Sequence, residues 1–506
     1  MSTPAPRRRL VMIGLDAAEL ALIEAERASL PTLDRVLARG AVGRLASTAS
    51  ALPGSVWPTF ATGTLPGVHG IYHHLQWDST SMRIRRVSRD WLPSEPFWYA
   101  LERRGLEVAA LDVPMTFPPR LARGVEILNW GSHDQLGPFA ARPRALGDAL
   151  RRRFGARHPM GYEIPVTKTP GELAHIHRNL VAGARRKGEV ACWLYDQRDW
   201  DLFLTVFGET HRGGHILWPE RSDGESATLT PLLDVYRAVD AALATLLDAA
   251  AARAATVVVF ALHGMGSNTS QEHFVPQIMD RVNAAFASGA HPAASAGAAP
   301  APAAQGGIVR WLREHVPAQV QNAIAQGVPV AVRDAVVSRQ ITGGHDWART
   351  PGLALLADLN GYLRFNVRGR EAAGCLDPDG APLAAYREWV TACLRSLRIT
   401  PEGTPLVGAV LAAGEAFPGP RSAFLPDLVV RWTDAPPATH ASSPLLGEIT
   451  AELATGRGGN HRFEGFCALL APDAGALPPL PSHIVELAAF AGALLGTAGS
   501  VDAREV

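Results

Sequence analysis

Leu10-Val-Met-Ile-Gly-Leu15-Asp16 is a run of apolar and glycine positions, without polar alternation, that ends on a carboxylate. Such a run is buried on both faces, as in a strand of a largely parallel sheet covered by helices. Four further polar clusters follow apolar runs in the same way: Ser55, Glu209-Thr-His211-Arg-Gly-Gly-His215, His263-Gly-Met265 and Asn460-His461. In an open α/β sheet, ligands bind beyond the carboxyl ends of the strands, so side chains hundreds of residues apart can converge there. Asp, Glu and His are divalent-metal ligands. Their wide spacing points to a catalytic site with an open coordination position rather than to a structural zinc knot, which draws on one short segment.

Further strands are expected at Ala41–Ala46, Glu107–Asp112, Asp201–Phe207, Thr256–Leu262, Leu353–Leu356, Asp427–Trp432 and Gly465–Leu470. Helical apolar spacing covers Glu19–Arg39, Pro231–Ala252 and His483–Leu495. The expected fold is therefore α/β, a central largely parallel sheet sandwiched by helices. Residues 8–286 would form its first part and residues 341–498 its second. Between them, the Ala/Pro/Gly/Ser tract 287–307 reads as a flexible loop, and 308–340 as two amphipathic helices forming a cap or insertion.

With 506 residues, 47% of them hydrophobic, the chain can bury a large core. Lys+Arg and Asp+Glu are equal at 48 each, so no global charge draws it to nucleic acid or to an anionic membrane. No stretch approaches the ~20 apolar residues that span a bilayer, and the basic start runs straight into the first strand. The chain reads as cytosolic. Cys192, Cys375, Cys393 and Cys467 lack CxxC spacing, which disfavours a thiolate zinc site or a disulfide framework and suggests buried free thiols.

Ile13-Gly-Leu-Asp16-Ala, Trp57-Pro-Thr-Phe-Ala-Thr-Gly63 and Pro66-Gly-Val-His-Gly70-Ile resemble the alkaline phosphatase superfamily, in its type I phosphodiesterase/nucleotide pyrophosphatase branch. Phe207-Gly-Glu-Thr-His211-Arg-Gly-Gly-His215 is similar to that branch's Asp-three-residues-His metal segment, Val257-Val-Val-Phe-Ala-Leu-His263-Gly-Met to its Asp-His-Gly-Met segment, and Gly459-Asn-His461-Arg-Phe-Glu-Gly465 to its last ligand histidine. The resemblance implies an alkaline phosphatase-like core and one or two divalent metals, zinc first and manganese as an alternative. His211, His215 and His461 would hold the metal on the leaving-group side, and Asp16 and His263 the metal that activates the nucleophile. It also implies a small-molecule phosphoester as substrate, with phosphodiesters slightly preferred over monoesters.

The chain departs from the pattern in three places. His211 and Leu262 stand where the branch has aspartates, and Pro53 stands where it has the Ser/Thr nucleophile. Glu209 is a candidate replacement carboxylate, since on a strand it would point to the same side as His211. Ser55 is the candidate nucleophile. It precedes Val56-Trp57-Pro58, so its hydroxyl would either cap a helix or attack phosphorus at the helix's positive end; Ser50, Thr48 or a metal-bound hydroxide are alternatives. His69 reads as a turn residue and His133-Asp134 as an exposed loop pair that could face the pocket. Arg368 and Arg370 would clamp a distal phosphate or form surface ion pairs. No cysteine has the C/S-x-P-x-R context of the sulfatases. Two readings follow: a metal-dependent phosphoester hydrolase, with phosphotransferase as a variant, or a catalytically impaired relative that binds a metal or ligand.

Overall fold

The computed structural model describes residues 8–92, 94–156, 158–159, 169–219, 229–289, 328–357, 359–453, 456–472 and 477–497. The eight strands of the central sheet, numbered within it, are β1 Leu10–Leu15, β2 Ala41–Ala46, β3 Val108–Leu111, β4 Val125–Leu128, β5 Ala140–Arg142, β6 Leu202–Phe207, β7 Thr256–Ala261 and β8 Glu464–Leu470. Their spatial order is β2-β8-β7-β1-β6-β3-β4-β5. Strands β7, β1, β6, β3 and β4 are mutually parallel. Strand β8 runs against both β7 and β2, and β5 runs against β4.

All six residues of β1 and of β6 are buried, as unalternating apolar runs require. Alternate side chains feed two apolar layers. One packs Val11, Ile13 and Phe203 against the long helices Pro170–Tyr195 and Thr230–Ala252. The other packs Met12, Leu204 and Phe260 against the helices Val56–Thr62 and Leu487–Leu494. The expected helix over Glu19–Arg39 is broken into Leu20–Ala25, a short 3-10 turn and Pro31–Arg39, because proline is accepted at a helix's first position but not in its interior.

Two expected strands do not join this sheet. Gly352–Leu355 and Leu428–Trp432 belong with Gly361–Phe365 and Val407–Ala412 to a separate four-stranded antiparallel sheet with its own apolar core. Most of the tract 287–307 and the first part of 308–340 lie outside the described residues. The helix Val330–Thr342 is described; it lies on the hairpin of Leu75–Asp78 and Arg83–Arg86, where Ile84 N donates to Ser338 Oγ at 3.0 Å and Arg86 pairs with Asp334 at 2.8 Å. No helix among the described residues is long and apolar enough to cross a membrane. The cysteines are all free; Cys393 and Cys467 are buried, Cys192 and Cys375 partly so.

Burial within the sheet has one titratable consequence. Glu126 on β4 accepts hydrogen bonds from Trp98 Nε1 (3.1 Å), Tyr99 Oη (2.8 Å) and Arg120 N (3.1 Å). Desolvation nevertheless outweighs these donors and pushes its pKa up to about 7. The native state thus holds this proton more tightly than the unfolded chain. Stability from it is full below the ordinary carboxyl pKa and is lost as pH rises through about 7, by an amount on the order of 3 kcal/mol. Glu126→Gln should flatten that slope in thermal melts between pH 4.5 and 7.5; an unchanged slope would locate its origin elsewhere.

Candidate metal centre

Asp16 is the first residue beyond β1, and its main chain is tied to the next strand by Asp16 N donating to Phe207 O at 2.9 Å. Trp57 Nε1 donates to Asp16 Oδ1 at 3.1 Å, and Thr210 Oγ1 donates to Asp16 O at 2.6 Å, so this buried carboxylate has a fixed direction. Beyond β6, Gly208 turns the chain into the helix Glu209–Leu217. His211 and His215 stand four residues apart on it, which places both rings on one face. His263 follows β7. Because β8 is antiparallel to β7, the chain enters it from the carboxyl edge of the parallel strands, and the short strand Gly459–Arg462 just before it delivers His461 there, paired opposite Met265 of Gly264–Ser267.

Side-chain-free positions let the helix and this two-stranded sheet approach. A Cβ on Gly459 would lie 2.0 Å from Gly214 O, and one on Gly214 would lie 2.7 Å from Met265 Cγ. At this distance His215 Nδ1 meets Gly459 O at 3.0 Å. Only a protonated Nδ1 can donate to a carbonyl, so the His215 lone pair sits on Nε2. The same logic holds for His263, whose Nδ1 meets Gly264 O at 3.0 Å.

The three Nε2 atoms of His211, His215 and His461 converge. His211 Nε2 is 2.9 Å from His461 Nε2 and 3.0 Å from His215 Nε2. Tetrahedral zinc at its usual N distance needs ligand atoms about 3.3 Å apart, so these three residues fit such an ion. A second group is formed by Asp16, His133 and His211. His133 Nδ1 lies 3.1 Å and His211 Nδ1 3.7 Å from Asp16 Oδ2, and these three buried atoms make no hydrogen bond among the described residues. His263 Nε2 is 3.9 Å from Asp16 Oδ1, and its ring centroid is 4.4 Å from that of His461.

Desolvation, reinforced by the surrounding histidines, holds the His211 pKa well below the ordinary imidazole value, so its ring is neutral and able to ligate. Burial raises the Asp16 pKa against the opposing pull of His133, His263 and the Trp57 N–H. A bound cation would reverse that tendency.

Several expectations are corrected here. Glu209 and His211 do not alternate on a strand. They lie two apart on a helix, where such residues do not face each other. The Glu209 carboxylate instead contacts His158 Nε2 at 2.7 Å; burial opposes its ionisation, but His158 and Lys187 outweigh it and leave its pKa lowered. It belongs to neither metal-type group. Ser55 is buried and makes no side-chain cap bond; its Oγ is 2.6 Å from Leu52 O and 2.7 Å from Thr48 Oγ1. The residue that lines the cleft beside His461 is Pro53. Arg370 forks onto Asp427 (2.6 and 2.8 Å) and also meets Glu371 at 2.9 Å, and Arg368 pairs with Asp377, so neither arginine is free for a phosphate clamp. His133 is buried against Asp16, not an exposed loop residue. Its signal was available in the strand-like run Val125–Leu128 before it, since β4 is one of the parallel strands whose carboxyl ends make the site. His69 is buried, accepting from Ile71 N at 3.0 Å and lying 3.1 Å from Thr59 Oγ1; burial lowers its pKa to about 3.

Comparison with known proteins agrees with this architecture. Two solved structures of phosphonoacetate hydrolase from Sinorhizobium meliloti 1021, in complex with phosphonoformate and with phosphonoacetate, each superpose with a TM-score of 0.51 at 15% identity, covering 97% of this chain and 97% of theirs. At that identity the likeness is one of fold. No curated protein gave a significant sequence match. Residues 10–373 match the family described as type I phosphodiesterase / nucleotide pyrophosphatase, a span that holds Asp16, His133, His211, His215 and His263 and stops short of His461. The chain therefore belongs to the type I phosphodiesterase/nucleotide pyrophosphatase family of phosphoester hydrolases, within the alkaline phosphatase superfamily.

Proposed function

We propose that this protein is a metal-dependent phosphodiesterase that works at the histidine cluster, with a divalent ion, zinc first, held by His211, His215 and His461. The observation that carries this reading is the convergence of the three Nε2 atoms. Bound there, the ion would supply Lewis-acid polarisation of a phosphoryl oxygen and acidify a water. The chain's residues account for the rest. Gly459 O sets the His215 tautomer, burial keeps His211 neutral, and the Trp57 N–H orients Asp16. With Pro53 lacking a nucleophilic atom and the Ser55 hydroxyl engaged by Leu52 and Thr48, the attacking oxygen comes from water.

One ion per chain is favoured over two. The two metal-type groups share His211, which faces one through Nε2 and the other through Nδ1. A neutral imidazole has one lone pair, so filling both groups at once would require a bridging imidazolate.

The test is hydrolysis of bis-p-nitrophenyl phosphate and p-nitrophenyl phosphate by protein stripped of metal and reloaded with zinc or manganese. Activity should vanish on stripping, return near one zinc per chain, and favour the diester. Folded, metal-binding protein that turns over neither ester with any ion would establish the impaired binding relative instead, the reading that Leu262, buried in place of a carboxylate, favours.

A further inference from the structure

A cleft between the strand Leu428–Trp432 of the antiparallel sheet and the short strand Gly459–Arg462 is lined by Pro53, Thr269, Asn360, Arg431, Asn460 and His461, among others. It therefore opens from the metal-type cluster, through His461, onto a guanidinium. Other arginines of the chain have a carboxylate close by. Arg364 is buried on Glu371 at 2.7 Å, Arg370 on Asp427 at 2.6 Å, and Arg462 has Asp434 at 3.8 Å and Ser267 O at 3.4 Å. Arg431 has no carboxylate within ion-pair distance among the described residues. It lies over the Phe463 ring at 4.3 Å, and its buried Nε has no hydrogen-bond partner among the described residues. The side chains of Asn460 and Thr269 likewise make no hydrogen bond among the described residues. Stacking on Phe463 holds the guanidinium plane in place while leaving its edge available for a planar or tetrahedral acid.

We propose that Arg431 reads a second acidic group on the substrate, so that the preferred phosphoester carries a carboxylate or a further phosphoryl group on the portion lying in this cleft. The inference rests on the phosphoester reading above and deepens it. Arg431 is half-buried, and a guanidinium held without a counter-charge gains most from an anion that matches its fork.

The experiment is calorimetric titration of the zinc-loaded protein with ethylphosphonate and 3-phosphonopropionate, which differ by one carboxylate. Wild type should bind the second about 10- to 100-fold more tightly. Arg431→Gln should bring the two ligands within about threefold of each other while leaving ethylphosphonate affinity, zinc content and the melting profile unchanged. Arg431→Lys, which keeps the charge but not the fork, should retain part of the preference. Ethane-1,2-bisphosphonate against 3-phosphonopropionate, which share a two-carbon spacer, then distinguishes a phosphoryl from a carboxylate source. A preference that survives in Arg431→Gln, or equal binding of both ligands by wild type, overturns the assignment and leaves the hydrolase reading intact. Failure of wild type to bind either phosphonate overturns both.

Discussion

Replacing His461 with alanine should abolish metal-restored hydrolysis of bis-p-nitrophenyl phosphate, a fall of at least about 10³-fold in kcat/KM, or roughly 4 kcal/mol of transition-state stabilisation. The reason is geometric. His461 Nε2 is one vertex of the three-histidine group, 2.9 Å from His211 Nε2, and no fourth described residue belongs to that group. Bound zinc should fall well below one per chain in the same variant. His133→Ala is the informative contrast. It removes a ligand of the Asp16 group while leaving the three converging Nε2 atoms untouched, so zinc content should stay near one. His461 lies on a short two-stranded sheet outside the central one, so the variant should remain folded. A His461→Ala protein that keeps both zinc and turnover would remove the basis of the metal assignment; a His133→Ala protein that loses its zinc would move the site to the Asp16 group.

What could be read in the sequence, and what could not, divides along the range of the forces involved. Leu10–Leu15 and Leu202–Phe207 were legible as central strands because burial on both faces leaves an unalternating apolar run in the local sequence. The runs at Leu353 and Leu428 were equally legible as strands. Their membership of a second, antiparallel sheet was not, because pairing partners lie far away in the chain and local pattern does not encode them. Asp16, His211, His215, His263 and His461 were singled out from their place after apolar runs and from family order. Placing Glu209 on the strand was the error, although the four-residue spacing of His211 and His215 was itself a helical signal. The phosphate clamp at Arg370 failed for a long-range reason as well, since its partner Asp427 is 57 residues away. Ser55 looked like a cap because of the proline that follows, yet a 3-10 turn over Pro53–Ser55 directs its hydroxyl to Leu52 O.

That turn makes Pro53→Thr the second variant with a large expected effect: appearance of a covalent phosphoryl-enzyme, which wild type should not form if water is the nucleophile as proposed. Pro53 lines the cleft beside His461 and Asn460, so a hydroxyl on its Cβ would enter the space where a phosphoryl group meets the three-histidine group. The backbone should accept the change. Residue 53 is the first of its turn, where the N–H that threonine adds needs no intrahelical partner, and threonine adopts the φ that proline fixes. Acid quenching of the zinc-loaded variant with a ³²P-labelled aryl phosphodiester should trap label approaching one per chain, against none for wild type and none for Ser55→Ala. Ser55→Ala should also keep wild-type turnover within about threefold, because its hydroxyl is engaged by Leu52 O and Thr48 Oγ1. If Pro53→Thr folds, holds zinc and stays unlabelled, position 53 does not face the transferred phosphorus. If wild type is labelled and Ser55→Ala is not, Ser55 is the nucleophile after all and must leave Leu52 O to attack.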